Sequence, residues 1–252
     1  ISITDNAKLQ LSNALIMGYG PNASASLLMG GNGYLSLVNE LDVGMNSGSK
    51  ALISLSGSAT ITGNSRLRLG VASFSTVNMT VADSAQVHDA GALEVGTGQN
   101  STASLTIGGG SVNVGANAVI ASGQTSSGTL VISGGALNVK GTYLGFAHNQ
   151  GATAVATLSG GAINATLAGM SVGNNNTSSA TISIEGSEVN VNTLTLGSGA
   201  NSIGKVTVSG GSLLVTATTA LGTGQSASGT LTVSGGAVTF SNVVRVGNGN
   251  TG

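Results

Sequence analysis

The sequence predicts an all-β chain wound as a right-handed parallel β-helix, a solenoid of about ten coils of 24–27 residues each. Three observations predict it. A strand–glycine turn–strand unit recurs at a near-constant interval. The apolar residues within each unit alternate at period two, and no segment has the 3.6-residue period of a helix.

The unit is clearest at Thr230-Leu231-Thr232-Val233-Ser234-Gly235-Gly236-Ala237-Val238, with near-copies starting at Ser104, Thr129 and Lys205. Anchored on the first turn residue, the series runs Asp5, Gly30, Gly57, Asp83, Gly109, Gly134, Gly160, Gly186, Gly210 and Gly235. The intervals are 25, 27, 26, 26, 25, 26, 26, 24 and 25 residues. Length alone would allow one or two domains, but the unbroken period makes 1–252 a single solenoid. The chain opens on a strand at 1–3 and stops in a glycine turn at 247–252, which reads as an excerpt of a longer array.

Each unit carries three alternating segments. The first has apolar pairs such as Leu105/Ile107 and Val206/Val208, the second pairs such as Val112/Val114 and Val189/Val191, and the third pairs such as Leu67/Leu69 and Leu194/Leu196. Alternation sends each pair to one side of the strand and the residue between them to the other. Three short strands in about 25 residues cannot bury an apolar face as a flat hairpin, whereas a coil turns all three faces inward and stacks on its neighbour. Parallel crossovers favour the right hand. At roughly 4.8 Å per rung, ten coils make a rod about 48 Å long. Coils 3 and 4 have one extra residue before their second strand, which predicts a bulge there and leaves the direction of Asp89 open. The third turn varies most, as expected for insertions and contacts.

Composition narrows the function classes. Gly accounts for 42 of 252 residues and charged residues for 6%, but 40% are hydrophobic, which favours an ordered β-rich chain over a disordered one. A net charge of −1 gives no basic face for nucleic acid. No apolar run reaches the length of a membrane helix, so direct insertion by this segment is not expected. With no cysteine there is neither a disulfide framework nor a thiolate metal site, and no cofactor is implied. The segment 30–35 has part of a calcium-binding nonapeptide pattern, but Leu35 stands where that motif needs Asp.

Residues at equal positions in successive coils form outward columns, and these are the candidate functional surface. The middle of strand two gives Asn113, Asn138, Asn164 and Asn190 in four consecutive coils, a predicted amide ladder that either stabilises the rod or docks a partner laterally. The middle of strand one gives Thr80, Thr106, Thr157, Thr207 and Thr232 among other Ser and Thr positions. β-Propensity explains threonine there, and an ice-binding face is the sharper alternative. Strand three places Glu40 beside Arg66, and Arg68 between Asp42 and Glu94. That spacing predicts a self-neutralised charge ladder worth a few tenths to ~1 kcal/mol per pair. A carboxylate site for sugar chemistry would need acids that the arginines leave unpaired. His88, with Asp83 and Asp89 nearby, is the other candidate for chemistry. His148 lies in a long turn and reads as solvated.

The recurrent Gly-x-Gly-Gln-x-x-x-Gly-Thr-Leu-x-Val-Ser-Gly-Gly pattern, at 222–236 and again at 123–135, resembles autotransporter-associated β-strand repeats. The likeness covers essentially all ten units and is best from residue 104 onward. It implies a right-handed β-helix exported across a Gram-negative envelope to the cell surface or medium, and it carries over no catalytic residue. The expected function is a non-enzymatic surface rod used for adhesion, self-association or filament formation. Its partners would be other copies of itself, through lateral or end-to-end contact, or host-surface glycans and proteins. A polysaccharide-processing β-helix enzyme is the alternative of a different class, and ice binding a third.

Overall fold

The computed structural model describes residues 1–247; the turn read at 247–252 therefore lies, from 248 on, outside the described residues. Among the described residues there is no helix, and the strands pair in parallel as a right-handed solenoid of about nine turns. Every coil sends one strand to each of three faces. The first face is a 10-stranded sheet running from Ser2–Ile3 and Ser24–Met29 to Ile203–Val208 and Ser228–Val233. The second and third faces start with Lys8–Leu11 and Leu15–Met17. They are joined into one 18-stranded sheet because two long strands, Ala162–Val172 and Glu188–Leu196, run through both faces without a corner. That passage holds the one register break given for these pairings, between Ala165 and Gly169.

Period-two patterning makes the core. On the first face Leu27, Ile53, Met79, Leu105, Leu130, Ala156, Ile182 and Val206 stack in register, each 1% exposed or less. Burying an aliphatic side chain of this size contributes about 1.5–3 kcal/mol. Such columns on three walls form a continuous apolar interior.

The first corner follows two rules. In the last six coils it is three residues long, as at 108–110. In the first four it is four residues long (4–7, 30–33, 56–59 and 82–85), and an N–H closes back on the carbonyl three residues earlier, as from Ala85 to Ala82 at 3.0 Å. The extra residue thus belongs to coils 1–4 and is taken up in the turn. Ala59 and Ala85, fully buried, fill the inside of the corner. The bulge expected in coils 3 and 4 is absent, since 86–89 pair without a break to 60–63 and to 111–114. Where Asp replaces Gly in the corner, at Asp5 and Asp83, the backbone keeps a left-handed φ of 58° and 57°, which a short polar side chain tolerates.

The third corner is closed from inside by serine. Ser75, Ser101, Ser126, Ser178 and Ser202 occupy equal positions in their coils. Each hydroxyl donates to the carbonyl three residues back at 2.6–2.8 Å, and the same serine's N–H aims at that carbonyl too. In the other coils Ala23, Ser49, Ala152 and Ala227 take that position, and the backbone N–H alone makes the closing bond.

Two inward positions break the core pattern: Thr219, in register with Leu194 and with its Oγ1 buried and unpartnered, and Asp89. The inward column at the end of strand two reads Leu37, Gly63, Asp89, Val114 and Val139, so Asp89 stands where its neighbours are aliphatic. It is 7% exposed; Oδ1 accepts the Gly91 N–H at 3.0 Å, and Oδ2 is buried without a partner. Beside it Gly63 leaves a cavity of about 10 Å³, walled by Ile61, Leu67 and Val87. Burial pushes the Asp89 carboxyl above its ordinary pKa. A raised folded pKa means that the stability tied to the neutral form is complete below the unfolded value and is lost as pH rises through the folded one. Asp89→Val is therefore expected to stabilise the fold at pH 7 by about 1–3 kcal/mol. That gain should shrink toward acid pH. Urea midpoints of both proteins across the acid-to-neutral range check it, and a pH-independent gap would contradict the assignment.

Candidate functional site

Outward columns on the second and third faces carry the polar side chains that meet across rungs. On the third face the register pairs Asp42 with Arg68 and Arg68 with Glu94. Arg68 closes on one side only. Its Nε donates to Asp42 Oδ1 at 2.7 Å, its Nη2 to Asp42 Oδ2, and Nη2 also reaches Glu40 Oε2 at 3.4 Å. Arg66 Nη2 meets the same Glu40 oxygen at 3.0 Å. The Asp42 side chain is 1% exposed beneath its partner, and its hydrogen bonds hold the Arg68 guanidinium above its ordinary pKa. The expected ladder is therefore a four-residue cluster that does not extend to Glu94. Neither arginine reaches Glu94, which keeps no ion-pair partner among the described residues.

The amide ladder forms over three of its four predicted members. Asn164 Nδ2 donates to Asn138 Oδ1 and Asn138 Nδ2 to Asn113 Oδ1, both at 2.8 Å. Asn190 is in register with Asn164, but its amide turns to Glu188 Oε1 at 2.8 Å, a charged acceptor on its own strand. The ladder ends at Asn113, whose Nδ2 donates to Ser111 Oγ at 2.9 Å and faces His88 Nδ1 at 3.3 Å. His88 also meets Gln86 Oε1 at 2.7 Å. The expected grouping of His88 with Asp83 and Asp89 does not occur: alternation turns Asp89 inward, and Asp83 Oδ2 accepts the Gly57 N–H at 2.8 Å.

Thr80, Thr106, Thr157, Thr207 and Thr232 lie in one register column as expected, with Val131 and Ser183 between them. The first face is wider than two columns. Its six-residue strands turn three residues outward, as Thr102, Ser104 and Thr106 do in coil 5. The outermost column (Thr76, Thr102, Ser127, Thr153 and Ser179) is legible as a third alternation step once the strand's full length is known.

Sequence reasoning missed an open trough of about 560 Å³ beside the ion cluster, on the third face and its adjoining turn. Tyr143 forms one wall. Its ring lies over Gly145, where a Cβ would fall 2.6 Å from Tyr143 Cε1, so only glycine leaves room for the ring. The Tyr143 hydroxyl meets His148 Nδ1 at 2.8 Å, and the two rings pack edge to face at 5.3 Å. Asn174 Nδ2 faces both groups, at 3.1 and 3.0 Å, and Asn174 Oδ1 is fixed by Ser198 Oγ at 2.8 Å. His148 is thus half-buried and hydrogen-bonded, not solvated as expected. Burial raises the Tyr143 pKa above its ordinary value. The signal available in the sequence was Tyr143-Leu144-Gly145, a strand with glycine at an outward position next to one of only three tyrosines.

Among the described residues no three His, Asp or Glu side chains converge to hold a metal ion. Comparison with protein-family models, with curated proteins and with solved structures gives no match for this chain.

The cluster geometry separates two arginines that look equivalent in sequence. Arg68→Ala leaves a buried carboxylate unpaired and is expected to cost about 3–5 kcal/mol. Arg66, whose side chain is 45% exposed, should cost under ~1 kcal/mol. Asp42→Val added to Arg68→Ala should recover much of the loss in equilibrium unfolding. Equal costs for the two arginines would contradict the burial assigned to Asp42.

Proposed function

We propose that this chain is a non-enzymatic, exported β-helical rod of a bacterial surface, working through lateral association with copies of itself and through attachment to its surroundings. The observation that carries this reading is the first face. It is three outward residues wide, rich in Ser and Thr with Lys50, Leu52, Val155 and Lys205 among them, and in unbroken register from coil to coil. A surface that repeats its chemistry about every 4.8 Å suits a partner with the same repeat, and a second copy of the rod has it by construction. The likeness of the repeat to autotransporter-associated β-strand repeats supports export to a bacterial surface. The stacked asparagines of the second face offer a second repetitive strip.

The test is association over a concentration series. Purified protein should form side-by-side bundles by negative-stain microscopy and sediment faster as concentration rises. The double variant Thr106→Lys/Thr157→Lys puts like charges on adjacent rods and should remain as single rods about 48 Å long. Identical behaviour of the two proteins would overturn lateral association through this face.

The three-column width also favours ice binding as a second reading, since hydroxyls and methyls spaced regularly along a sheet can order water. Thermal hysteresis decides it: a freezing gap that disappears in the same double variant supports it, and ordinary ice growth disposes of it.

A further inference from the structure

We propose that the trough between Glu94 and Tyr143 is a carbohydrate-binding site accommodating one or two sugar units. This inference deepens the attachment part of the function proposed above and rests on it.

The floor of the trough is built from small outward residues. Ala92 and Val119 take positions that hold arginine, or its acidic partners, in the rungs before them, and Gly145, next in the Val119 column, lies beneath the Tyr143 ring. The large polar side chains stop after Arg68 and Glu94, and the surface steps down until the Tyr143 ring rises from it. Of the trough's walls, one is therefore aromatic and the opposite one is a carboxylate. An aromatic ring beside hydrogen-bonding groups matches a pyranose, which presents C–H bonds on its faces and hydroxyls at its edge.

The polar groups around the trough are sorted into donors and acceptors. The Glu94 carboxylate is an acceptor without an ion-pair partner among the described residues. Asn117 Oδ1 is occupied by the N–H groups of Thr142 and Tyr143, both at 3.1 Å, which leaves its NH₂ to donate outward. His148 Nδ1 faces the Asn174 NH₂, a group that cannot accept, so Nδ1 is the acceptor and the proton sits on Nε2. Nε2 has no partner among the described residues and is the second donor. On the other side of that amide, Asn174 Oδ1 accepts from Ser198 Oγ at 2.8 Å. A carboxylate acceptor with amide and imidazole donors can bind neighbouring sugar hydroxyls, each of which both gives and takes a hydrogen bond. A cationic side chain would be served by acceptors alone, and the two donors count against it. The Ser198–Asn174–Tyr143–His148 network fixes the wall before any ligand arrives, so little ordering remains to be done on binding.

The experiment uses the whole chain. Cellotriose, lactose, N-acetyllactosamine and chitotriose are tested as soluble probes by saturation-transfer NMR and titration calorimetry, with N-acetylarginine amide as the cationic comparison. At least one saccharide should bind. Glu94→Gln, on a half-exposed side chain whose loss leaves the fold intact, should weaken it about tenfold by removing a charged hydrogen bond. Gly145→Ala should weaken it further by pushing the Tyr143 ring off the strand, with thermal unfolding followed to show that the rod survives. The Thr106→Lys/Thr157→Lys rod should bind as wild type does, so loss of lateral association with sugar binding retained would leave this site standing. Binding of no saccharide, saccharide binding indifferent to Glu94→Gln, or preference for the arginine probe would each overturn the proposal.

Discussion

Everything in this molecule depends on each coil returning its backbone to the same place one rung higher. The rungs are held by parallel inter-strand hydrogen bonds, and those can form only if all three corners close at a fixed height and direction. The third corner meets that demand with an N–H aimed at the carbonyl three residues back, joined in five coils by a buried serine hydroxyl. The first corner meets it with a left-handed residue, glycine in most coils and Asp5 or Asp83 in two. Once closure is guaranteed, the apolar columns stack without further instruction.

Closure also dictates how chemistry is distributed outside. A residue has its counterparts one coil before and one coil after as immediate neighbours, so a side chain's partners are chosen by a spacing of about 25 residues. Arg68 has an acid on each side and satisfies only one of them: its Nε and Nη2 both turn to Asp42, and no ion pair forms with Glu94. Asn190 leaves its ladder for a similar reason, drawn by the carboxylate of Glu188. Register proposes contacts, and competition among them decides which form.

The architecture was legible because it rests on periodicity, and periodicity survives without any knowledge of side-chain rotamers. The repeat length, the three faces and the threonine, asparagine and charge columns could all be placed from spacing alone. What could not be read were choices between acceptors at similar distances. The committed side of Arg68 and the defection of Asn190 are of that kind. Asp89 was ambiguous because an extra corner residue can be absorbed as a bulge or as a longer turn, and the two differ by a reversal of side-chain direction. The Tyr143 network was hidden for another reason. It joins Tyr143, His148, Asn174 and Ser198 from a strand and from third turns of three successive coils, and turns of unequal sequence carry no column to follow.

A rod of this kind pulled along its axis is loaded in line with the bonds between its rungs. Such a stack parts at its weakest rung, because each coil is held only by its neighbours. The step between the successive rungs carrying Gly63 and Asp89 has a missing side chain, a small void and an unpartnered carboxylate oxygen in what is elsewhere a continuous aliphatic column. It also lies next to the change from four-residue to three-residue first corners. Under tension that seam is where the rod would yield first, and, since the defect there is an ionisable group, acidity would set the force at which it does so.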